Sequence, residues 1–558
     1  MFLTKDELLH FLLIPLIIGL LGGFSALLFR DFIDFFHFLF QKINFLHGDI
    51  FYLISTPIIF VLSNLLVLKF LLHSEGVSLD NIAKKIALLH GHFSPVKGSL
   101  VLFLTSLNIG FGLPVGREAP IAKLGGLLGE LFLKLIKVPR VNLILYLSAA
   151  VSSAIAATFN APLAGVLLGI EIILGKVNLY LLIPLIVAST TATLLAREFL
   201  GNYTAFFVPH LQFKDLYFYL VPFVGIFFGF LALLTKWSIN FIRGLKLSLR
   251  HLWLKIVFIN GLVVGSLLSL FPQIRGTGYS YITGLFLHKT SPLEAFFIML
   301  LKWVAVVITL GSGLFGGLMS PSIFIGAFGG YALGSIFTFL GADPRVFILV
   351  GSAAMLAGIS RAPLRTSIIV VELTHSYQLL LPILIASSIS AFISAKFEPG
   401  AYFKRSLIQK GIDIENSQVL EFLKCLDPRK YLTFISPLKE DDDYSQALKL
   451  FAKVHTRYLP VVNEKGKLVG ILSATDLLKI LQRGTEVKIS QIMHRNPIFL
   501  KEGFDKEELV KILGMFTTSS IPYLDKDGKY IGMLDLNRLL KDLTLVNSSC
   551  QSDKLQHQ

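Results

Sequence analysis

Charge is scarce in this chain. Of its 558 residues, 16% are Asp, Glu, Lys or Arg and 54% are hydrophobic, and the mean hydropathy is +0.70. Soluble domains carry about a quarter charged residues, so the composition excludes a soluble globule and implies a polytopic membrane protein. Cysteine is nearly absent: Cys425 and Cys550 lie in or beside the polar C-terminal part. Two isolated thiols fit a reducing, cytosolic part without disulfides. The 13 histidines are scattered and no His-Glu-x-x-His stretch occurs. That excludes an intramembrane zinc protease, which needs two His on one helix face. His73, His90 and His92 lie near each other and read as a polar loop rather than a metal site. Glu118, Glu171 and Glu372 are too few carboxylates to line a magnesium pathway. Bases outnumber acids, 51 against 36, for a net charge of +15. In an apolar chain this reads as a cytoplasmic-loop bias, not as nucleic-acid binding. Lys236, Arg243, Lys246, Arg250 and Lys255, between two apolar stretches, mark such a loop.

Apolar stretches recur near 11–29, 51–72, 142–172, 180–195, 218–235, 256–271, 295–310, 346–359 and 379–395. Several are split by Gly or Pro, which suggests short or re-entrant helices. The first follows Lys5-Asp6-Glu7 without a small-residue cleavage site and reads as a retained helix. Composition divides the chain into a membrane part at 1–412, a linker at 413–434, two units at 435–486 and 487–546, and a tail at 547–558.

The membrane part repeats itself. Gly116, Pro120, Gly125 and Gly129 recur as Gly317, Pro321, Gly326 and Gly330, an offset of 201 (317 minus 116). Asn160-Ala161-Pro162 and Glu171 recur as Arg361-Ala362-Pro363 and Glu372 at the same offset. Glycine-interrupted apolar segments at matching places in two repeats point to a transport site near the bilayer midplane. Glycines let a backbone approach a ligand closely, and helix N-termini offer free N–H groups and a positive dipole end. Two such ends meeting in a dry site favour an anion. The bland alternative is that the glycines only pack helices. One repeat carries Glu118, a carboxylate that is costly in apolar surroundings and therefore a functional candidate; its counterpart is Met319.

The C-terminal part repeats at an offset of 62: Pro460, Gly466 and Gly470 return as Pro522, Gly528 and Gly532. Each unit reads as helix, strand, tight turn, strand, helix. This resembles a tandem pair of CBS domains, whose members often hold adenine nucleotides between the units. The family's binding pattern matches Gly470, Ser473 and Asp476 in the first unit, with Asp476 on a ribose hydroxyl. The second unit has Asp535 and Arg538 at the corresponding places. The alternative is a purely structural, dimerising pair.

The membrane motifs resemble the CLC family of chloride channels and proton-coupled chloride antiporters over about residues 10–410. Gly116-Arg117-Glu118-Ala119-Pro120 stands for the family's Gly-Lys/Arg-Glu-Gly-Pro. Phe159-Asn160-Ala161-Pro162-Leu163-Ala164-Gly165 is close to family form, and Gly316-Gly317-Leu318-Met319-Ser320-Pro321 stands for Gly-Gly-Ile-Phe-x-Pro. The resemblance implies a polytopic all-α membrane domain built as an inverted repeat with broken re-entrant helices, followed by a cytosolic α/β CBS pair. It implies a multi-pass protein of the plasma or inner membrane and a homodimer with one pore per subunit. No catalytic residue, metal or required cofactor is implied. Glu118 becomes the gating glutamate, competing with anions for the pore and moving aside when protonated. Gly116, Arg117, Leu318 and Met319 become anion-site positions.

Three departures bear on mechanism. The family's early Ser, which contacts the central anion, aligns with Val77, with Ser78 one residue away. The antiporters' proton-accepting glutamate aligns with Ile172, beside Glu171, which fits the family's structural glutamate. The pore tyrosine aligns with Phe403, next to Tyr402. Each hydrogen bond to a charged group contributes about 1.5–3 kcal/mol, so losing two hydroxyls weakens anion binding, which suits conduction. The expectation is a chloride pathway that is channel-like or weakly coupled to protons, with strict antiport as the alternative.

Overall fold

The computed structural model describes residues 8–398 apart from 71–78, 80, 81, 84, 85, 87–92, 139, 175–178, 203, 205, 210, 212, 213, 288 and 289. It also describes 426–543 apart from 455, 457, 475, 476, 478–487, 496, 505–508, 510, 511 and 514–519. The chain forms two units, Met1–Pro399 and Gly400–Gln558.

The first unit is helical. In chain order it contains α1 (Ile14–His47), α2 (Ile50–Phe70), α3 (Pro95–Phe111), α4 (Glu118–Leu135), α5 (Arg140–Phe159), α6 (Pro162–Leu168), α7 (Leu179–Leu200) and α8 (Leu216–Ser248). Then follow α9 (Trp253–Leu270), α10 (Tyr279–Leu287), α11 (Pro292–Gly311), α12 (Met319–Ile336), α13 (Pro344–Ser360), α14 (Pro363–Thr374) and α15 (Leu380–Phe397). Among the described residues, nine helices are long and apolar enough to cross a membrane, while Pro95–Phe111, Pro162–Glu171 and Pro344–Ser360 are shorter apolar helices.

Local chemistry explains where helices begin and break. Ser94 before Pro95, Ser291 before Pro292 and Asp343 before Pro344 each accept a hydrogen bond from the first turn. Such residues satisfy otherwise orphaned N–H groups, and proline at the first position loses nothing. The apolar stretch 142–172 is two helices. Asn160 takes the left-handed conformation at φ 54°, and Pro162 restarts the chain as α6. Its counterpart Arg361 has φ 52° before Pro363. The same break therefore occurs once in each repeat.

Two expectations change. A further apolar helix, α12, runs directly out of the Gly316-Gly317 motif and is as apolar as the spans marked in the sequence. The expected basic loop is mostly helix: α8 runs on through Lys236 and Arg243, whose side chains donate to Gly358 O and Leu310 O, at 3.3 Å each. A positive charge there is absorbed by carbonyls at helix ends.

The glycines divide into two classes. Gly125 and Gly129 pack α4 onto α5: a Cβ at either would come within 2.5 Å of the Cβ of Ala154 or Ala150. Gly326 and Gly330 do the same for α12 on α13, against the backbone of Gly351 and Phe347. For these four, the packing alternative is correct. Gly116 and Gly317 do something else, described below.

The second unit has two four-stranded sheets, ordered β2-β3-β4-β5 and β1-β8-β7-β6. The strands are β1 (Leu432–Thr433), β2 (Leu438–Lys439), β3 (Tyr458–Val462), β4 (Leu468–Ser473), β5 (His494–Arg495), β6 (Leu500–Lys501), β7 (Ser520–Leu524) and β8 (Tyr530–Asp535). Helix α16 (Tyr444–Lys453) precedes β3, and the short α17 (Ile489–Ile492) precedes β5. The hairpins β3–β4 and β7–β8 have the same register, Val461 opposite Gly470 and Tyr523 opposite Gly532. Each sheet takes its fourth strand from outside its own repeat unit: β5 pairs with β4, and β1 with β8. Behind β1, the buried Tyr431 donates to Asp542 at 2.9 Å, and burial with that carboxylate pushes its phenol up to about 12.

Candidate anion gate

The two repeats meet at equivalent residues. Gly116 N donates to Gly317 O at 2.7 Å and Gly317 N donates to Gly116 O at 2.6 Å, with the chains antiparallel. Equivalent residues exchanging both bonds define a local two-fold between the repeats. Helix α4 starts two residues beyond Gly116 and α12 two residues beyond Gly317. Two helix N-termini thus converge where neither chain has a side chain at the contact.

Glu118, the first residue of α4, is 1% exposed. Its Oε1 accepts a hydrogen bond from Ser320, the second residue of α12. Its Oε2 has no hydrogen-bond partner among the described residues and lies over the glycine pair; a Cβ on Gly317 would come 2.7 Å from it. The carboxylate therefore rests on the inter-repeat contact and takes its side-chain hydrogen bond from the opposite repeat, while Arg117 acts on it by charge alone. Arg117 also borders a small cavity of about 10 Å³, together with Arg30 and Thr158. Met319, the counterpart of Glu118, is buried beside Leu318 at the start of α12.

Other cross-repeat bonds hold the site. Asn108 Nδ2, near the end of α3, donates to Phe315 O at 3.0 Å. Gly276 N donates to Gly112 O at 2.8 Å, where Gly112 sits at φ 99° after α3. Glu372 accepts from Leu163 N at 3.1 Å and Ala164 N at 2.8 Å, capping α6. Glu171 accepts from Arg365 N at 3.1 Å at the start of α14. Each repeat's glutamate caps the other repeat's short helix, which offsets orphaned N–H groups and suits the positive dipole end.

The sequence-derived positions distribute unevenly. Gly116, Arg117, Glu118, Leu318 and Met319 come together. Ile172 lies in the π-helical segment Gly169–Leu174 that continues α6. Val77, Ser78, Tyr402, Phe403 and Asp476 lie outside the described residues, as do His73, His90, His92, Cys425 and Cys550. Ser320, Tyr279, Asn108 and Arg30 were not singled out from the sequence. Ser320 had a usable signal, because the offset of 201 places it opposite Ala119, directly after the key carboxylate.

In the second unit, Gly470 lies on β4 where a Cβ would come 2.8 Å from Met493 Sδ and 2.9 Å from His494 O. Close approach of β5 is reason enough for that glycine. Ser473 ends β4. A cleft of about 130 Å³ lies between the hairpins, lined by Tyr458, Ile471, Ile498, Ser520, Ile521, Pro522 and Met533.

Comparison with known proteins identifies the family. The family model for voltage gated chloride channels matches residues 59–395, and that for CBS domains matches 435–483 and 489–544. The chain is 30% identical over 322 residues to the voltage-gated ClC-type chloride channel ClcB of Salmonella typhi, covering 56% of this chain and 76% of that one. It is 28% identical over 330 residues to the H(+)/Cl(-) exchange transporter ClcA of Vibrio cholerae, covering 56% and 69%. Its fold matches the crystal structure of a eukaryotic CLC transporter at a TM-score of 0.62 and 22% identity, over 95% of this chain and 98% of that one. With the glycine meeting, the buried carboxylate and the paired C-terminal units in place, the chain belongs to the CLC family of integral membrane chloride transport proteins and carries tandem CBS domains behind its membrane part.

Proposed function

We propose that this protein carries chloride through a pore gated by Glu118, with little or no coupling to protons. One observation carries the gate: a buried carboxylate seated on the Gly116–Gly317 contact, where two helix N-termini converge. An anion attracted by those helix ends competes with the carboxylate for one place. Arg117, the residue before Glu118, adds positive charge beside that place. Protonation neutralises the competitor and lets it leave.

Weak coupling is supported by Ile172 at the position where the family's antiporters accept protons, since an alkyl side chain relays none. Strict exchange is the second reading, favoured by the likeness to a relative named as an H(+)/Cl(-) exchange transporter. Chloride and proton movement measured together in liposomes separates them. The proposal expects chloride flux without uphill proton movement; proton pumping driven by a chloride gradient overturns it.

We assign the protein a homodimeric state, with one pore per subunit, and a cytoplasmic CBS pair. We propose an adenine nucleotide at the cleft between the hairpins, a reading supported by an apolar slot for a ring beside Ile471 and by the family pattern of Gly470, Ser473 and Asp476 in the sequence. Calorimetric titration of the full-length protein with ATP, ADP and AMP is expected to give saturable heat. No heat with any of the three leaves the pair a structural role.

A further inference from the structure

The repeats are unequal at the gate in a second way. Ala119 follows Glu118, and its counterpart is Ser320. The Ser320 hydroxyl donates to Glu118 Oε1. The hydroxyl of Tyr279, at the start of α10, donates to Ser320 Oγ at 3.0 Å. Ser320 is fully buried, and a buried hydroxyl is costly unless hydrogen-bonded. A serine has one proton to give. With Tyr279 filling its acceptor side, that proton is directed at the carboxylate.

Tyr279 is in turn held by the loop before it. Lys302, fully buried in α11, donates to Ile274 O at 2.8 Å and Gly276 O at 2.6 Å. Gly276 N reaches Gly112 O in the other repeat at 2.8 Å. Arg275 is paired with Asp49, at the corner between α1 and α2, at 2.7 Å. A buried lysine in a membrane helix marks a function; here its amino group clamps the loop that delivers Tyr279. Of the charged groups, Arg117 acts on Glu118 from its own turn. The opposing elements bring Tyr279 and, beneath the same loop, Lys302, both hydrogen-bonded as described.

We infer that Ser320 and Tyr279 form a latch that holds Glu118 in its seat, Tyr279 positioning the Ser320 hydroxyl and Ser320 positioning the carboxylate. The latch rests on the reading of Glu118 as the gate. It sets how readily the gate opens, and so the pH at which anions flow.

The test is chloride flux against pH for the full-length protein in liposomes. Losing a hydrogen bond that favours the seated, charged carboxylate makes opening easier, so Ser320→Ala moves the midpoint to higher pH by about one unit. Tyr279→Phe, which only loosens the donor, moves it the same way by roughly half as much. Ser320→Thr keeps the hydroxyl and keeps the midpoint. In a Glu118→Gln background neither change alters the profile. If Ser320→Ala does not reach the membrane, Tyr279→Phe, at a partly exposed helix start, carries the same test. A wild-type midpoint in the folded variants overturns the latch. The two readings fail differently: a pH profile untouched by Glu118→Gln sinks the gate. A profile flattened by Glu118→Gln but unmoved by Ser320→Ala and Tyr279→Phe sinks the latch alone.

Discussion

In the membrane unit the equivalent residues Gly116 and Gly317 meet without side chains, deep in the fold. In the C-terminal unit the equivalent residues Lys467 and Lys529 face each other on exposed turns. There Tyr530 N donates to Gly466 O at 3.1 Å and Leu468 N to Gly528 O at 3.4 Å. Both contacts are local two-folds made by duplication. The turns stay symmetric: Asn463 and Asp525 each accept from the backbone two and four residues on. The membrane contact does not stay symmetric, because Glu118 faces away from a plain copy of itself: Met319 and Ser320 stand where the first repeat has Glu118 and Ala119. On the proposed reading, duplication supplies the anion-favouring frame and the broken symmetry supplies the control. On an exposed turn water screens like charges, so lysine is tolerated; in a dry contact only glycine admits both backbones.

The sharpest break of this comparison is Gly317→Val. Its side chain collides with Gly116 O and with the seat of Glu118 Oε2, at 3.2 and 2.7 Å from the Cβ alone. Chloride flux in liposomes is expected to vanish while the protein still inserts. Next come the caps. Glu372→Ala strips the partner from two N–H groups, and Glu171→Ala from one. Each unpaired buried N–H costs about 1–3 kcal/mol. Thermal unfolding in detergent is expected to show both destabilised, Glu372→Ala more. Equal or no loss removes the reciprocal capping. The smallest effect belongs to the exposed axis: Lys467→Ala is expected to change stability by less than about 0.5 kcal/mol and flux not at all.

Much of this was legible in the residues. The offset of 201 pairs Gly116 with Gly317 and Glu171 with Glu372, and an isolated carboxylate in an apolar stretch draws attention to Glu118. What the offset cannot say is that equivalent residues touch, or that the glutamates cap each other's repeats; those are facts of docking, not of pattern. Tyr279 was illegible because a tyrosine 41 residues before Ser320 has no periodic relation to it. Helix α12 is as apolar as other spans, but its stretch begins inside the motif at 316–321, where the glycines and the proline read as a break rather than as the start of a span. The basic cluster misled for another reason: long cationic side chains sit on a continuing helix when carbonyls wait for them.

The gate itself is tested most directly by Glu118→Gln. Glutamine keeps the shape and cannot ionise, so chloride flux through the variant is expected to lose its pH dependence and stay at the open level of the wild type at low pH. Flux through Glu118→Gln that still rises and falls with pH as the wild type does contradicts Glu118 as the gate.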